Sequence, residues 1–183
     1  MTNKSFNIDY EIILLLINEG LHGRAISNRL KANLSSVQNH LKLLRDLNVI
    51  DYKTIGKNKI FNIKNSLSSR KYVYNAENYK LLLLIEKYPF LEPLITDINK
   101  SNVDMIILFG SFASLTANDD SDIDVFAQTQ KKDLKKALES INSRLSIKIG
   151  TFDVNSLLIK EIIKNHVILK GVETYYERVG FFK

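Results

Sequence analysis

An apolar run that ends on Gly-Ser, followed ten residues later by Asp-x-Asp on a second apolar run, constrains this chain more than any other feature. Val103 to Phe109 reads as a buried strand. Gly110-Ser111 follows at once. Phe112 to Leu115 reads as a short helix, Thr116 to Ser121 as a polar loop, and Asp122 to Ala127 as a second strand. Alternate residues on a strand share a face, so Asp122 and Asp124 can reach one metal site while Ile123, Val125 and Ala127 pack in the core. Two hard carboxylates suit Mg²⁺, which keeps waters and takes phosphate oxygens as ligands. Gly110 lets the backbone approach a phosphate closely. Ser111 and the free amides of the following helix start can donate to a triphosphate. An isolated Asp-x-Asp occurs in many surface loops, and Gly-Ser alone carries nothing; their order and spacing carry the signal. Asp119 and Asp120 read as solvated or turn-forming.

This pattern resembles the polymerase-beta-like nucleotidyltransferase superfamily, and more narrowly the minimal nucleotidyltransferases of bacteria and archaea, over about residues 102–175. The resemblance implies that Asp122 and Asp124 are catalytic and hold Mg²⁺, and that Gly110 and Ser111 bind the nucleotide, ATP or another NTP. It also implies a third carboxylate on a later strand. The candidate strand is Leu145 to Phe152, where the alignment puts Lys148 at that position and Asp153 just past the strand. A lysine there pairs with Asp122 or Asp124, or binds a phosphate. Two-carboxylate forms of the fold can still bind metal and nucleotide, so activity stays open. Ser156 to Asn165 reads as a helix, His166 to Gly171 resembles the ending of many minimal nucleotidyltransferases, and Val172 to Arg178 forms a last helix.

Charge separates the two ends of the chain. Residues 1–70 hold 11 Lys/Arg against 5 Asp/Glu, and residues 71–183 hold 15 against 15. The whole excess of +6 therefore sits at the N-terminal end. A basic module is the footprint of a nucleic-acid partner, or simply a solvated surface. Asp9 is expected to cap a helix running to about Asn18, with Ile12, Ile13, Leu16 and Ile17 as its apolar stripe. A second helix spans about Arg24 to Lys31, and a third opens on a Ser35…Gln38 capping box. Two β-rich runs around Ile55 to Asn58 then read as a basic hairpin. The stretch His22 to Ile63 resembles the winged helix-turn-helix family of prokaryotic regulators. That resemblance implies double-stranded DNA as partner, with Ser35, Ser36, Gln38, Asn39 and Lys42 facing bases or phosphates and Lys57 and Lys59 on the wing. Protein pairing is the other use of such modules.

The fold expected is α+β: a winged helix-turn-helix over residues 1–66, a linker and connecting helices over 67–101, and a nucleotidyltransferase α/β domain with a small mixed sheet over 102–183. The Ser-rich stretch Asn65 to Tyr74 reads as the boundary. Beyond it a helix runs from Glu77 to about Tyr88 with Tyr79, Leu82, Leu83 and Glu86 as its pattern. Pro89 breaks that helix, and another spans about Glu92 to Asn99. The chain has no cysteine, which excludes disulfides and thiolate chemistry. Its longest apolar stretches fall far short of a membrane span, and Met1 to Lys4 lack a signal-peptide pattern. A cytoplasmic location is the expectation. His22, His40 and His166 lack ligand spacing and read as structural or surface residues.

Two functions follow from the resemblances. One is Mg²⁺-dependent transfer of AMP from ATP to a protein acceptor, antitoxin-like, with a HEPN-type ribonuclease toxin as the partner. The other is a transcriptional regulator, possible as a homodimer, whose degenerate transferase domain only binds nucleotide or a partner. Action on an RNA end or an antibiotic ranks below both.

Overall fold

The computed structural model describes residues 7–183, so Met1 to Lys4 lie outside the described residues. The chain divides into two compact units, the first ending at Ala76 and the second running Glu77–Phe182.

The first unit opens with α1 (Ile8–Asn18), which Asn7 caps by accepting from the Tyr10 amide. Asp9 is therefore not the cap. Asparagine and aspartate cap about equally well, and with Asn7 in that place Asp9 falls in the first turn, where its charge suits the positive helix end. Its carboxylate bonds His40 at 2.8 Å. A short strand, β1 (Leu21–His22), leads into α2 (Gly23–Leu30), whose cap is the His22 ring, Nδ1 accepting from the Ala25 amide at 3.1 Å. The third helix, α3 (Leu34–Asp46), begins earlier than the Ser35 capping box implies. Asn33 accepts from both the Ser35 amide, at 2.8 Å, and the Ser35 hydroxyl, at 2.7 Å. A competing side chain one residue before the helix thus takes the capping role.

The hairpin is β2 (Ile50–Ile55) and β3 (Asn58–Ile63), paired antiparallel from Ile50↔Ile63 to Ile55↔Asn58. Adding β1 gives a three-stranded sheet of order β1-β3-β2. Ile12, Ile13, Leu16, Ile26, Val37, Leu41, Leu44, Val49 and Ile50 are buried beneath it.

The Ser-rich stretch expected as a boundary is largely helical. One helix, α4 (Leu67–Lys87), runs through it. Two serines at its start are bonded: Ser66 Oγ accepts from the Ser69 amide at 3.0 Å, and the buried Ser69 hydroxyl donates to the Val49 carbonyl at 2.7 Å. Composition that reads as linker is here a cap and a buried donor. The inward face also differs from the expected one. Leu84 is fully buried, with Leu81 and Ile85 packed around it, whereas Leu82 is exposed. Five consecutive apolar residues have no period, so tertiary packing selects the face.

The second unit continues with α5 (Leu91–Asn99), β4 (Ile106–Leu108), α6 (Gly110–Ala113), β5 (Ile123–Gln128), α7 (Lys132–Glu139), β6 (Leu145–Gly150), α8 (Leu157–Lys164), β7 (Val167–Lys170) and α9 (Val172–Val179). Its sheet has the order β6-β5-β4-β7. Strands β5 and β6 are parallel and the other pairs antiparallel, so the sheet is mixed. Helix α7, absent from the sequence reading, is the crossover that parallel neighbours require. One sheet face packs Ile123, Val125, Ala127, Leu145 and Ile147 with Leu84, Leu91, Leu94 and Ile98 in a single core. The other carries a chain of edge-on rings, Phe126, Phe152 and Tyr175. Gly171, at φ +81°, lets β7 meet the start of β4: a Cβ there would lie 2.2 Å from the Asp104 carbonyl oxygen. Among the described residues no helix is long and apolar enough to cross a membrane.

Candidate functional site

In the second unit the Gly-Ser turn and the Asp-x-Asp strand meet. Strand β4 ends at Leu108, and the Phe109 amide donates to the Asp124 carbonyl at 2.9 Å, which locks the turn to β5. Gly110 follows at φ +71°, with its α-carbon against the Asp124 side chain. A Cβ at Gly110 would lie 2.6 Å from Asp124 Oδ2. The glycine is therefore required twice, for its left-handed backbone and for the room its missing side chain leaves the carboxylate. Ser111 is half-buried on the same turn, and its carbonyl accepts from the Thr116 amide at 2.9 Å. The loop that follows is thereby folded back onto α6.

Asp124 is half-buried on β5, and Asp122 is exposed just before the strand. Ile123, Val125 and Ala127 lie in the core, so alternation turns Asp124 to the opposite face of β5, and Asp122 stands two residues before it. Asp119 and Asp120 are exposed in a turn built by Asn118, whose side-chain oxygen accepts from the Asp120 amide at 3.1 Å.

The strand register defines what stands beside the carboxylates. Ser146 of β6 lies across from Asp124, and Lys148 lies one step further along, across from Phe126, on the same face and exposed. Asp153 is exposed beyond the end of β6, where its carboxylate accepts from the Asn155 amide at 3.0 Å. Among the described residues no group of three or more His, Asp or Glu side chains is gathered as a metal site. Asp122 and Asp124 are two residues apart in sequence, and paired carboxylates of this kind suit a hard cation that retains waters and shares phosphate oxygens.

Arg144 is a residue the sequence reading missed. Its guanidinium donates to the Ser121 carbonyl through Nε at 3.2 Å and through Nη2 at 2.7 Å. It also lies over the rings of Phe90 and Phe112, at 5.5 and 5.7 Å. Its own carbonyl accepts from the Ile123 amide at 2.8 Å. The residues on both sides of Asp122 are thus tied to Arg144. Its only sequence signal is a cation just before an apolar strand, which is far too common to single it out.

On the ring-bearing face, Glu77 and His166 are both buried. Glu77 accepts from the Tyr176 hydroxyl at 2.7 Å. His166 Nδ1 bonds the Ile162 carbonyl at 2.9 Å. Burial first, and then the nearby Lys80 charge, lower the His166 pKa from 6.5 to about 3. At 3.9 Å from Glu77 the neutral ring is a packing neighbour and forms no ion pair. Burial, and then Glu77, push the Tyr175 hydroxyl well above its usual range. All three histidines thus have structural roles, His22 as a cap and His40 bonded to Asp9.

In the first unit, Ser35, Gln38, Asn39 and Lys42 are exposed on α3 and Ser36 is half-buried, while Val37, Leu41 and Leu44 face inward. Lys57 in the hairpin turn and Lys59 on β3 are exposed, and the Lys59 ammonium lies 4.4 Å above the Tyr52 ring. Gln38, Lys42, Lys57 and Lys59 all border one cleft between α3 and the hairpin.

No curated protein and no solved structure matches the chain. Residues 94–176, which hold Gly110, Ser111, Asp122 and Asp124, match the family model described as "Polymerase beta, Nucleotidyltransferase".

Proposed function

We propose that the chain is a DNA-binding nucleotidyltransferase that moves AMP from ATP to a protein acceptor, in the manner of an antitoxin acting on a HEPN-type toxin. The observation that carries the transferase part is the contact of Gly110 with Asp124, at the end of a buried strand and inside the segment matched by the family model. It presses a half-buried backbone turn against a carboxylate that the core strand holds in place. Asp122 and Asp124 would hold Mg²⁺, which when bound supplies charge neutralisation for the departing pyrophosphate and activation of the attacking oxygen. Gly110 and Ser111 would seat the phosphates. Arg144 holds the Ser121 carbonyl and so positions Asp122. An acceptor hydroxyl on the partner would attack the α-phosphorus, losing its proton to water and forming the new P–O bond as the bond to the α,β-bridging oxygen breaks and pyrophosphate leaves.

For the first unit, three helices followed by a basic hairpin, in a β1-β3-β2 sheet, support a winged helix on double-stranded DNA. The exposed residues Ser35, Gln38, Asn39 and Lys42 on one helix face favour α3 as the base-reading element. A second reading is a regulator whose transferase unit only binds nucleotide or docks a partner. Ser146 and Lys148, rather than a carboxylate, beside the Asp124 strand favour it.

The deciding experiment uses purified protein, Mg²⁺ and α-labelled ATP, alone and with the product of the neighbouring gene. Label passed to a partner by the wild type and lost in the Asp122→Ala/Asp124→Ala variant is the expected result. Nucleotide binding without transfer to any partner would leave the regulator.

A further inference from the structure

The cleft between α3 and the hairpin is open on one side and has a volume of about 670 Å³, within the range of small-molecule sites. Arg24, Lys42, Lys57 and Lys59 line it, and no Asp or Glu does. Arg45 also borders it but bonds the adjacent Asp46. Among the described residues, none of the first four cations has a carboxylate partner. Four unneutralised charges turned toward one hollow repel one another, and the repulsion is relieved when a polyanion enters. The cleft also has aromatic walls: Tyr52 and Phe61, half-buried, with ring centroids 5.7 Å apart.

Cations alone would suit any phosphate surface. Cations combined with partly open rings suit a ligand that carries both phosphates and a planar base. A duplex keeps its bases stacked inside and offers this hollow only its outer phosphates, so the rings would go unused.

From this combination we infer that the cleft is a second nucleotide site, separate from the Gly110–Asp124 site, which takes a free nucleoside phosphate. The phosphates meet Arg24, Lys42, Lys57 and Lys59, and the base lies against Phe61 and against Tyr52, from whose ring the Lys59 ammonium moves to the phosphates. Because Gln38 and Lys42 border the same cleft, an occupied site covers part of the surface proposed to read DNA, and nucleotide and duplex compete. The competition rests on the duplex-binding reading. The nucleotide site does not.

The test is calorimetric titration of the full-length Asp122→Ala/Asp124→Ala variant, without Mg²⁺, with ATP, inorganic triphosphate and a short single-stranded oligonucleotide. ATP is expected to bind saturably. Adding Lys42→Gln/Lys59→Gln should weaken ATP at least tenfold. Adding Tyr52→Leu should weaken ATP about fivefold or more while leaving triphosphate within about twofold, because only the base meets the ring. As a check independent of variant folding, ATP added to the wild type should shift backbone amide resonances of residues 22–24, 38–45 and 52–61. Absence of saturable binding would overturn the site. So would ATP binding indifferent to these substitutions with no amide shifts there, or an oligonucleotide that binds where ATP does not. Duplex binding and label transfer by the wild type, measured alongside, fail or succeed independently of these outcomes.

Discussion

Gly110 tolerates no side chain, and the reason is local. Alanine there would have to hold φ +71° and would place its methyl group 2.6 Å from Asp124 Oδ2. The backbone strain alone costs about 1–3 kcal/mol, and the carboxylate must swing away. Gly110→Ala is therefore expected to lower unfolding stability by that amount in urea and to reduce label transfer by roughly 100-fold, the usual effect of an ångström-scale misplacement. His166 gives a second residue-scale test. Its pKa is about 3 in the folded chain and returns toward 6.5 on unfolding. Between these values the unfolded state binds more protons. The contribution of His166 is thus complete above about pH 6.5 and is lost as pH falls toward 3. Urea unfolding at pH 7 and pH 4.5 should show a larger acid loss in the wild type than in His166→Asn. Glu77, Lys80 and Tyr175, which face the ring, are common to both chains. The sequence marked Gly110, Ser111, Asp122 and Asp124 because backbone geometry and strand alternation are local rules. Arg144 and the buried Glu77 were illegible because their roles come from partners 23 and 99 residues away, Ser121 and Tyr176.

At the scale of elements, α4 shows where local reading stops. Its start looks like a linker because Ser66, Ser68 and Ser69 cluster there, yet Ser69 is buried and bonded to Val49 across 20 residues. Helix starts moved for a related reason: Asn7 and Asn33 took the caps assigned to Asp9 and Ser35. The hairpin, by contrast, was legible from two β-rich runs around a short turn, and its DNA role is a proposal. For it the expected measurement is salt dependence. Removing one cation that meets a phosphate lowers the slope of log affinity against log salt by about 1. Lys57→Gln/Lys59→Gln should therefore weaken duplex binding similarly across sequences and flatten the slope by about 2. Gln38→Ala should instead change sequence preference.

The division of the whole molecule at Ala76/Glu77 falls inside α4, where no composition change could mark it. The second half of that helix belongs to the second unit's core through Leu84, Leu81 and Ile85, and Glu77 accepts from Tyr176. A fragment covering 77–182 is accordingly expected to unfold cooperatively by circular dichroism, and one covering 89–182 to lack a cooperative transition. Loss of buried Leu84 alone costs about 2–5 kcal/mol, a large share of the roughly 5–15 kcal/mol that holds a domain folded. Strand β4, which delivers the Gly-Ser turn, pairs on one side with β5 and on the other with β7, from Ile106↔Lys170 to Leu108↔Val167. During synthesis the β4 edge that will receive β7 stays open for some sixty residues after β4 itself has been made. The basic unit, whose strand pairings close within residues 21–63, can be finished long before. A ribosome-bound chain would thus present its cationic module while the Gly-Ser turn still waits for its last strand.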